Sequence, residues 1–244
     1  MVTPYWYQGN WTNEFRNVGD IAPPYILKHL FGKDFQSCDK DDKSKLLSVG
    51  SVIEFLQDND IVWGAGLIQP MAIEKRDNVT FISVRGTITR AALQDVGYNV
   101  PECYGDPCFM LPDIYFPDVE KQYDIGIVPH YVDEDMIREQ NPDAFIISPM
   151  NTVEGFIDNI LKCRAIISSS LHGIVISEAY GIPCKWAQYS NKIIGGHFKF
   201  HDYYQGTGRT PMLNEWMAIP DRNKYIHLTK FLETWNQKHN ATFV

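Results

Sequence analysis

His172 and the three serines before it are the residues whose types and spacing best suit chemistry on an anionic ligand. Ser168, Ser169 and Ser170 follow the apolar run 165–167, which is typical of a buried parallel strand, and a helical pattern follows them. This order predicts a strand, a polar turn and a helix start, where free backbone N–H groups and the helix dipole favour an anion. Histidine exchanges a proton near neutral pH, so His172 is a candidate acid or base. The alternative is that the serines cap a helix and the histidine is structural.

Polar residues also stand at the ends of other predicted strands. Arg85 and His130 each come just after a predicted strand, and Asp106 lies in a strand-end turn. An arginine fork there can bind carboxylate or phosphate, and a structural ion pair is the alternative. Asn17 and Asp20 precede a predicted helix, where they could bind sugar hydroxyls or cap the helix. Because parallel strands end at one edge of a sheet, we expect these side chains to line a cleft.

The segment after Ile193 is rich in glycine and aromatic residues and shows no clear helical or strand period. Its polar residues include Lys199, Asp202, Tyr203 and Arg209. We expect a polar loop that closes over a substrate. The alternative is an ordered surface loop that packs its aromatic rings inward.

Predicted strands and helices alternate along the chain, which is typical of α/β proteins with helices on both faces of a parallel sheet. Residues 111–118 are punctuated by proline and predict a connector between two Rossmann-like halves whose sheets face a cleft. The expected units are a domain over 1–118, a domain over 119–221 with the serine turn, and a segment over 222–244. An amphipathic pattern over 225–238 predicts a C-terminal helix that packs back on the body.

Composition and charge exclude several classes of protein. The 244 residues carry a formal net charge of −8, which argues against non-specific nucleic-acid binding. No apolar run reaches the ~18 residues of a membrane span and the amino terminus lacks a signal-peptide pattern, so we expect a soluble, cytoplasmic protein. The five cysteines form no CxxC pair, and we expect reduced thiols rather than a disulfide framework or a zinc site.

Several blocks together resemble the polysaccharide pyruvyl transferases, most closely the branch that acts in bacterial exopolysaccharide and capsule synthesis. The blocks run in order and read NVGD at 17–20, VWGAG at 62–66, VRGTITRAAL at 84–93, GDP at 105–107, IVPHY at 127–131, SSSLHG at 168–173 and FKFHDYY at 198–204. The resemblance implies two Rossmann-like halves similar to GT-B glycosyltransferases. It also implies transfer of an enolpyruvyl-derived unit from phosphoenolpyruvate to a sugar, with formation of a cyclic pyruvate ketal.

The resemblance assigns roles to individual residues of these blocks. The family's essential histidine matches His172, and the arginine of its N-terminal half matches Arg85. An acidic residue of that half matches Asp20 or Asp106. The SSSLHG turn, with Gly173 at its end, is expected to bind the donor.

One position departs from the pattern of the better-known branch, in which an arginine precedes the Leu-His-Gly of this turn. Here that position is Ser170. Another cation must then hold the donor, or activity is lost. The candidates are Arg85, Arg90, Lys199 and Arg209.

The chemistry of the implied reaction predicts further roles. Phosphoenolpyruvate becomes electrophilic when its methylene carbon is protonated, so the reaction needs a general acid. His172 is the candidate for this acid and then for a base, and His130 is a second candidate for proton transfer. The residues expected to contact the acceptor sugar are Asn17, Asp20, Asp106, Asp202 and Tyr203. This chemistry needs no metal and no cofactor, with phosphoenolpyruvate as the co-substrate.

Two other functions fit the same cleft. A GT-B-like glycosyltransferase that uses a nucleotide sugar would need the same architecture, although the second half shows no acidic residue placed to hold a ribose. A non-catalytic sugar-binding subunit would tolerate the serine at position 170. An acceptor carried on a lipid would place the protein at the inner face of the cytoplasmic membrane, as a peripheral partner.

Overall fold

The computed structural model describes residues 2–9, 16–225, 234 and 237, and these form an α/β fold with two four-stranded parallel sheets. The strands are β1 Thr3–Tyr5, β2 Lys45–Leu47, β3 Ile61–Trp63, β4 Thr80–Ser83, β5 Tyr123–Val128, β6 Phe145–Ile146, β7 Cys163–Ser168 and β8 Cys184–Trp186. The α-helices are α1 Val18–Phe31, α2 Thr87–Asp95, α3 Leu111–Ile114, α4 Glu134–Gln140, α5 Val153–Leu161, α6 Leu171–Ala179 and α7 Phe198–Gly206. Short 3-10 helices cover Ile53–Phe55, Pro107–Met110 and Arg222–Lys224. Within the described ranges, no helix is long and apolar enough to cross a membrane.

The first sheet joins β1, β2, β3 and β4 in sequential order, and all its strand pairs are parallel. Side chains of successive strand residues point to opposite faces. Leu46 and Trp63 join the apolar cluster that contains the buried side of α1, whereas Leu47 and Val62 join a second cluster with Leu93 of α2. Apolar packing therefore covers both faces of this sheet, as the sequence predicts.

The second sheet has the order β6-β5-β7-β8, again with parallel pairs. The chain runs from β5 outward to β6 and then crosses back to β7, so the strand order reverses between β5 and β7. Open parallel sheets bind ligands beyond the carboxyl ends of their strands at such a reversal. Val128 at the end of β5 pairs with Ser168 at the end of β7, which places His130 and the serine turn side by side at this point.

The start and end of α1 show why the sequence folds as it does near the site. Asn17 is the N-cap, and its side-chain oxygen accepts the Gly19 N–H at 3.0 Å. Gly32 ends the helix with φ of 67°, a left-handed conformation that glycine adopts without steric cost. Asn17 thus takes the capping role that is the alternative to sugar binding.

Two elements near the carboxyl end differ from the sequence-based expectation. The edge strand β8 is not predicted, and α7 is a helix where the sequence predicts a polar loop over the substrate. α7 packs tightly on the first half, because a Cβ added to Gly86 would lie 1.8 Å from the carbonyl oxygen of Asp202. The helix predicted over 225–238 lies outside the described residues except at positions 234 and 237.

Candidate active site

The starts of α1 and α6 meet where the two halves of the chain touch. The N–H of Val18 donates to the carbonyl of Pro149 at 2.8 Å, which ties the start of α1 to the second half. His172, the second residue of α6, packs its imidazole against Gly19 of α1. The structure therefore brings the predicted histidine into direct contact with the NVGD block.

Gly19 is required by this contact. A Cβ added at Gly19 would lie 1.9 Å from Nδ1 of His172 and 2.3 Å from its Cε1. Such distances are far below van der Waals contact, so any larger residue would push the imidazole out of its position. The glycine of NVGD thus positions the histidine of SSSLHG across the contact between the halves.

His172 faces Asp106 on its other side. Nε2 of His172 and Oδ2 of Asp106 lie 3.6 Å apart, and the side chains are 13% and 0% exposed. This separation is slightly longer than a hydrogen bond, and such catalytic contacts often shorten when substrate binds. Burial alone would raise the pKa of Asp106, but His172 and the N–H of Cys108 hold this pKa below its ordinary value. Asp106 is therefore an ionised carboxylate that can orient the imidazole.

Asp20 interacts electrostatically with His172 and Lys199, and burial shifts the pKa of both Asp20 and Lys199. Burial raises the pKa of Asp20 from 3.8 to about 6, although His172, Lys199 and Arg16 act in the opposite direction. Burial lowers the pKa of Lys199 to about 8, helped by Arg85 and opposed by Asp20. The cluster thus holds an acid and a base that titrate on either side of neutral pH, a frequent feature of functional sites.

Lys199 reaches the cluster because α7 lies across the contact between the halves. Its side chain is 8% exposed, and its Nζ lies 5.6 Å from the centre of the Phe200 ring. Across residues 2–9 and 16–225, no carboxylate forms a salt bridge with Lys199. A buried ammonium in this state can bind an anion that enters the site.

His130 also lies in this region, but its protonation differs from the sequence-based expectation. Burial and the charge of Lys199 lower the pKa of His130 to about 3, so its imidazole is neutral at pH 7. Nδ1 of His130 accepts the N–H of Val132 at 3.4 Å. A neutral imidazole of this kind can form hydrogen bonds, but it is not the imidazolium that a general acid requires, and a role of His130 in proton transfer stays a prediction.

The serine turn holds itself together by internal hydrogen bonds. Ser168 Oγ donates to the carbonyl of Val128 at 2.9 Å and accepts the Ser170 N–H at 3.0 Å. Ser169 Oγ accepts the backbone N–H of His130 at 2.8 Å, and Ser170 is the N-cap of α6. All three serines are buried, so their side chains take the capping and turn-forming roles.

The backbone at the start of α6 remains open to a ligand. Among the described residues, no acceptor is bonded to the N–H of Leu171 or of His172. Gly173 lets the helix approach β7, because a Cβ there would lie 2.4 Å from Ser168 Oγ. Free N–H groups at the start of a helix attract anions. The part of this turn that could bind an anion is therefore its backbone, and donor binding by the turn stays a prediction.

Arg85 forms a buried ion pair rather than an anion-binding fork. Its Nε donates to Oδ2 of Asp202 at 3.0 Å, and its other nitrogens donate to Ser51 Oγ at 2.8 Å and the Leu67 carbonyl at 2.6 Å. Asp202 also accepts the Thr89 N–H at 2.8 Å, and both charged side chains are 0% exposed. This pair fixes α7 to the first half, so Arg85 and Asp202 take the structural alternative to donor and acceptor binding.

Arg209, Tyr203 and Arg90 are likewise engaged away from His172. Arg209 donates through two nitrogens to Glu178, each at 2.7 Å, and the Tyr203 hydroxyl donates to the same carboxylate at 2.5 Å. Arg90 donates to the carbonyl of Val100 at 3.0 Å. These contacts explain why the structure does not bring these three residues into the cluster.

Sequence reasoning did not assign Arg16, Tyr131 or Cys108 to the site. Arg16 acts to lower the pKa of Asp20, and the charge of Asp20 adds to burial in raising the pKa of Tyr131. Asp106, Cys108 and His172 have ligand atoms within 4.8 Å of one another, and we refer to them as the three-ligand group. Side chains of these types can bind a divalent metal. Only the fold reveals this grouping, because the first two residues are distant from His172 in sequence.

The fold and this cluster define an α/β protein with a group of buried titratable side chains between two parallel sheets. The chain belongs to the polysaccharide pyruvyl transferase family, whose sequence profile matches residues 6–191. It is similar to an uncharacterized protein of Acanthamoeba polyphaga mimivirus, with 31% identity over 170 residues that cover 64% of this chain and 57% of that protein. It is also similar to the succinoglycan biosynthesis protein ExoV of Rhizobium meliloti, with 29% identity over 155 residues that cover 61% and 46% of the two chains. The chain spans about half the length of these relatives, and no solved structure matches it.

Proposed function

We propose that this protein transfers the enolpyruvyl-derived unit of phosphoenolpyruvate to a sugar of an exopolysaccharide precursor, with release of phosphate and formation of a pyruvate ketal. The observation that carries the proposal is that His172 faces the buried Asp106 at the meeting point of the two halves, while Asp20 interacts electrostatically with both His172 and Lys199. Membership of the family and the similarity to a succinoglycan biosynthesis protein support it. We further propose that the two halves enclose a GT-B-like cleft, and that no metal or cofactor takes part.

Lys199 is the cation that we assign to the donor. Three of the four candidate cations, Arg85, Arg90 and Arg209, donate to protein acceptors. Within the described residues, Arg85 and Arg209 form salt bridges and Arg90 and Lys199 do not, and of the latter two it is Lys199 that interacts with Asp20 of the cluster. Its ammonium and the open N–H groups at the start of α6 would together bind the phosphate or carboxylate of phosphoenolpyruvate. Lys199 thus replaces the arginine that the better-known branch has at the position of Ser170.

His172 is the group that we assign to proton donation. Protonation of the methylene carbon of phosphoenolpyruvate by the imidazolium gives an oxocarbenium ion at the carbon that bears the phosphate. Asp106 would hold the imidazole in one orientation and stabilise its cation, as a buried carboxylate does in other acid–base pairs. A positioned acid of this kind contributes roughly 10²–10⁴-fold to the rate.

Asp20 is the group that we assign to the acceptor. One sugar hydroxyl adds to the cationic carbon and gives its proton to the Asp20 carboxylate. Phosphate then leaves, and a neighbouring hydroxyl closes the ketal. The sugar loses two hydroxyl protons in all: one equals the hydrogen gained by the new methyl group, and the other is taken up by the released phosphate. With a pKa of about 6, Asp20 is ionised at neutral pH and basic enough to accept this proton. An acceptor on a lipid carrier would place the reaction at the inner face of the membrane.

The proposal is tested by the product. The protein is incubated with phosphoenolpyruvate and oligosaccharide fragments of bacterial exopolysaccharides, succinoglycan among them, and the ketal methyl group is followed by NMR together with free phosphate. We expect ketal and phosphate in equal amounts, and loss of both in His172→Ala, whose midpoint of thermal unfolding should stay close to that of the wild type. Normal turnover by His172→Ala would contradict the assignment of the acid.

A further inference from the structure

A second concave site lies beyond β8, beside the cluster described above. It is a cavity of about 240 Å³ between the end of β8 and the start of α7. Trp186 and Phe200 form its floor, and their rings stack with centres 4.8 Å apart. Polar side chains stand around its mouth, and the principal ones are Gln188, Ser190, Asn191 and His197. Both residues are almost fully buried, at 2% and 1% exposure, so packing fixes the base of the cavity and little of either ring is accessible to a ligand.

The polar groups at the mouth are ordered by one another. Gln188 Nε2 donates to Asn191 Oδ1 at 2.7 Å, and Gln188 Oε1 lies 2.6 Å from His197 Nε2. Ser190 Oγ donates to Asp133 Oδ1 at 2.5 Å, which fixes the loop to the segment after β5. Side chains held by such contacts lose little freedom when a ligand binds. The mouth is therefore prepared for a ligand with several hydrogen-bonding groups.

The lining indicates the chemical class of this ligand. None of the described residues that line the cavity is a lysine, arginine, aspartate or glutamate. A phosphate or carboxylate ligand would find no lysine or arginine among these residues, and His197 is the one of them that could carry a positive charge. A neutral sugar ring offers an edge of hydroxyl groups, which suits a rim of amide and hydroxyl side chains. The volume is slightly below that of pockets for drug-sized ligands, roughly 300–1,000 Å³, and suits a single ring.

The cavity is joined to the candidate active site through the backbone. The N–H of Ala187 donates to the carbonyl of Ser168 at 2.8 Å, so the loop after β8 borders the serine turn. Phe200 of the floor follows Lys199 on α7. The N–H of Asp133 donates to the His130 carbonyl at 2.8 Å, which links the rim to the segment that carries His130. Both sites thus lie at the carboxyl edge of the second sheet.

We infer that this cavity is a subsite for a neutral sugar ring of the acceptor, next to the ring that receives the pyruvyl unit. The inference rests on the proposed function, and it extends that function from one sugar to at least two. It assigns recognition to Gln188 and Asn191, whose amides both donate and accept hydrogen bonds. The subsite should favour a neutral sugar over a nucleotide, because no described lysine or arginine lines the cavity to bind phosphate groups.

Saturation-transfer NMR tests the subsite without turnover. The probes are the methyl glycosides of glucose, galactose, mannose and N-acetylglucosamine, each with the full chain. We expect transfer to at least one of them, with an affinity that falls at least ten-fold in the double variant Gln188→Ala with Asn191→Ala. The matched control is Gln94→Ala, an exposed amide on α2, which should leave the affinity unchanged.

The outcomes separate the subsite from the proposed function. Binding of none of the four probes, or equal binding by the double variant, would overturn the subsite whatever the donor does. Competition by UDP for the bound probe would also overturn it, because the cavity would then take a nucleotide. The same samples are tested for thermal stabilisation by phosphoenolpyruvate, which the double variant should retain in full. Loss of that stabilisation in the wild type, with sugar binding intact, would instead count against the donor and the proposed reaction.

Discussion

Replacement of Gly19 by alanine gives the sharpest view of how the site is positioned. The added Cβ would lie 1.9 Å from Nδ1 of His172, whereas ordinary contact begins at 3.4 Å, so the imidazole must move by about 1.5 Å. A misplacement of ~1 Å of a reacting group can cost about 10²-fold in rate. We therefore expect kcat to fall by at least about 100-fold in Gly19→Ala.

The fold should tolerate this change. Alanine is favoured over glycine within a helix by up to ~1 kcal/mol, which offsets part of the cost of moving the imidazole. Binding of phosphoenolpyruvate should persist, because Lys199 and the start of α6 are untouched. The assay measures phosphate release with acceptor present, and thermal stabilisation by phosphoenolpyruvate alone.

A matched control separates the position of His172 from the stability of α1. Ala22→Gly lies in the same helix, is fully buried, and should lower the unfolding midpoint while kcat stays within about two-fold. Turnover by Gly19→Ala within two-fold of the wild type would refute the reasoning, since the imidazole would then not need its present position. A loss of turnover in Ala22→Gly as large as that in Gly19→Ala would refute it as well.

Three further predictions follow from the same structure. Because the Asp20 pKa is raised to about 6, kcat/KM should fall as pH drops below about 6. Asp20→Asn should lower activity and remove this acidic limb of the pH–rate profile. An unchanged profile in Asp20→Asn would argue against a base role for Asp20. Arg209→Met leaves the buried Glu178 without its cationic partner, at a cost of about 3–5 kcal/mol of unfolding free energy. Circular dichroism should then show a midpoint of thermal unfolding lower by roughly 10 °C. An unchanged midpoint would contradict the structural role of the ion pair. Treatment with EDTA should leave turnover unchanged; loss of activity that zinc restores would instead make the three-ligand group a metal site.

Much of the fold follows from local sequence signals. The apolar run before the serine turn, the caps of α1 and the helix start at His172 are set by short-range patterns, and the structure has the corresponding elements. The reversal of strand order in the second sheet is a long-range property. It places His130 beside the serine turn, and no local pattern specifies it.

α7 shows why the remainder is harder to predict. Its residues Lys199, Phe200, Asp202, Tyr203 and Tyr204 are all buried, so no exposed polar face creates a helical period. The buried Asp202, for example, is paired with Arg85, which lies more than 100 residues earlier in the sequence. Asp106 and His172 are also far apart in sequence, so local patterns do not predict that their side chains face each other. Residue types predict which groups could act, but only the packing of the two halves shows which ones meet.

The replacement of a family arginine by a serine illustrates the same point in the site. From sequence, four cations are equal candidates to hold the donor. The structure separates them, because three already donate to protein oxygens and Lys199 does not form a salt bridge among the described residues. Buried charge without a protein partner is costly, and it is retained where a ligand completes the site.

The most direct test of this account is the unfolding midpoint with and without phosphoenolpyruvate, with UDP as the control ligand. A ligand at ~100 times its dissociation constant stabilises by about 2.7 kcal/mol, which for a chain of this size raises the midpoint by roughly 5–10 °C. We predict this rise with phosphoenolpyruvate in the wild type and in Lys199→Arg, no rise in Lys199→Met, and none with UDP. In the wild type the rise should shrink as pH increases through about 8, where the lysine loses its charge, and Lys199→Arg should keep it. A rise with UDP alone, or an equal rise with phosphoenolpyruvate in Lys199→Met, would contradict the account.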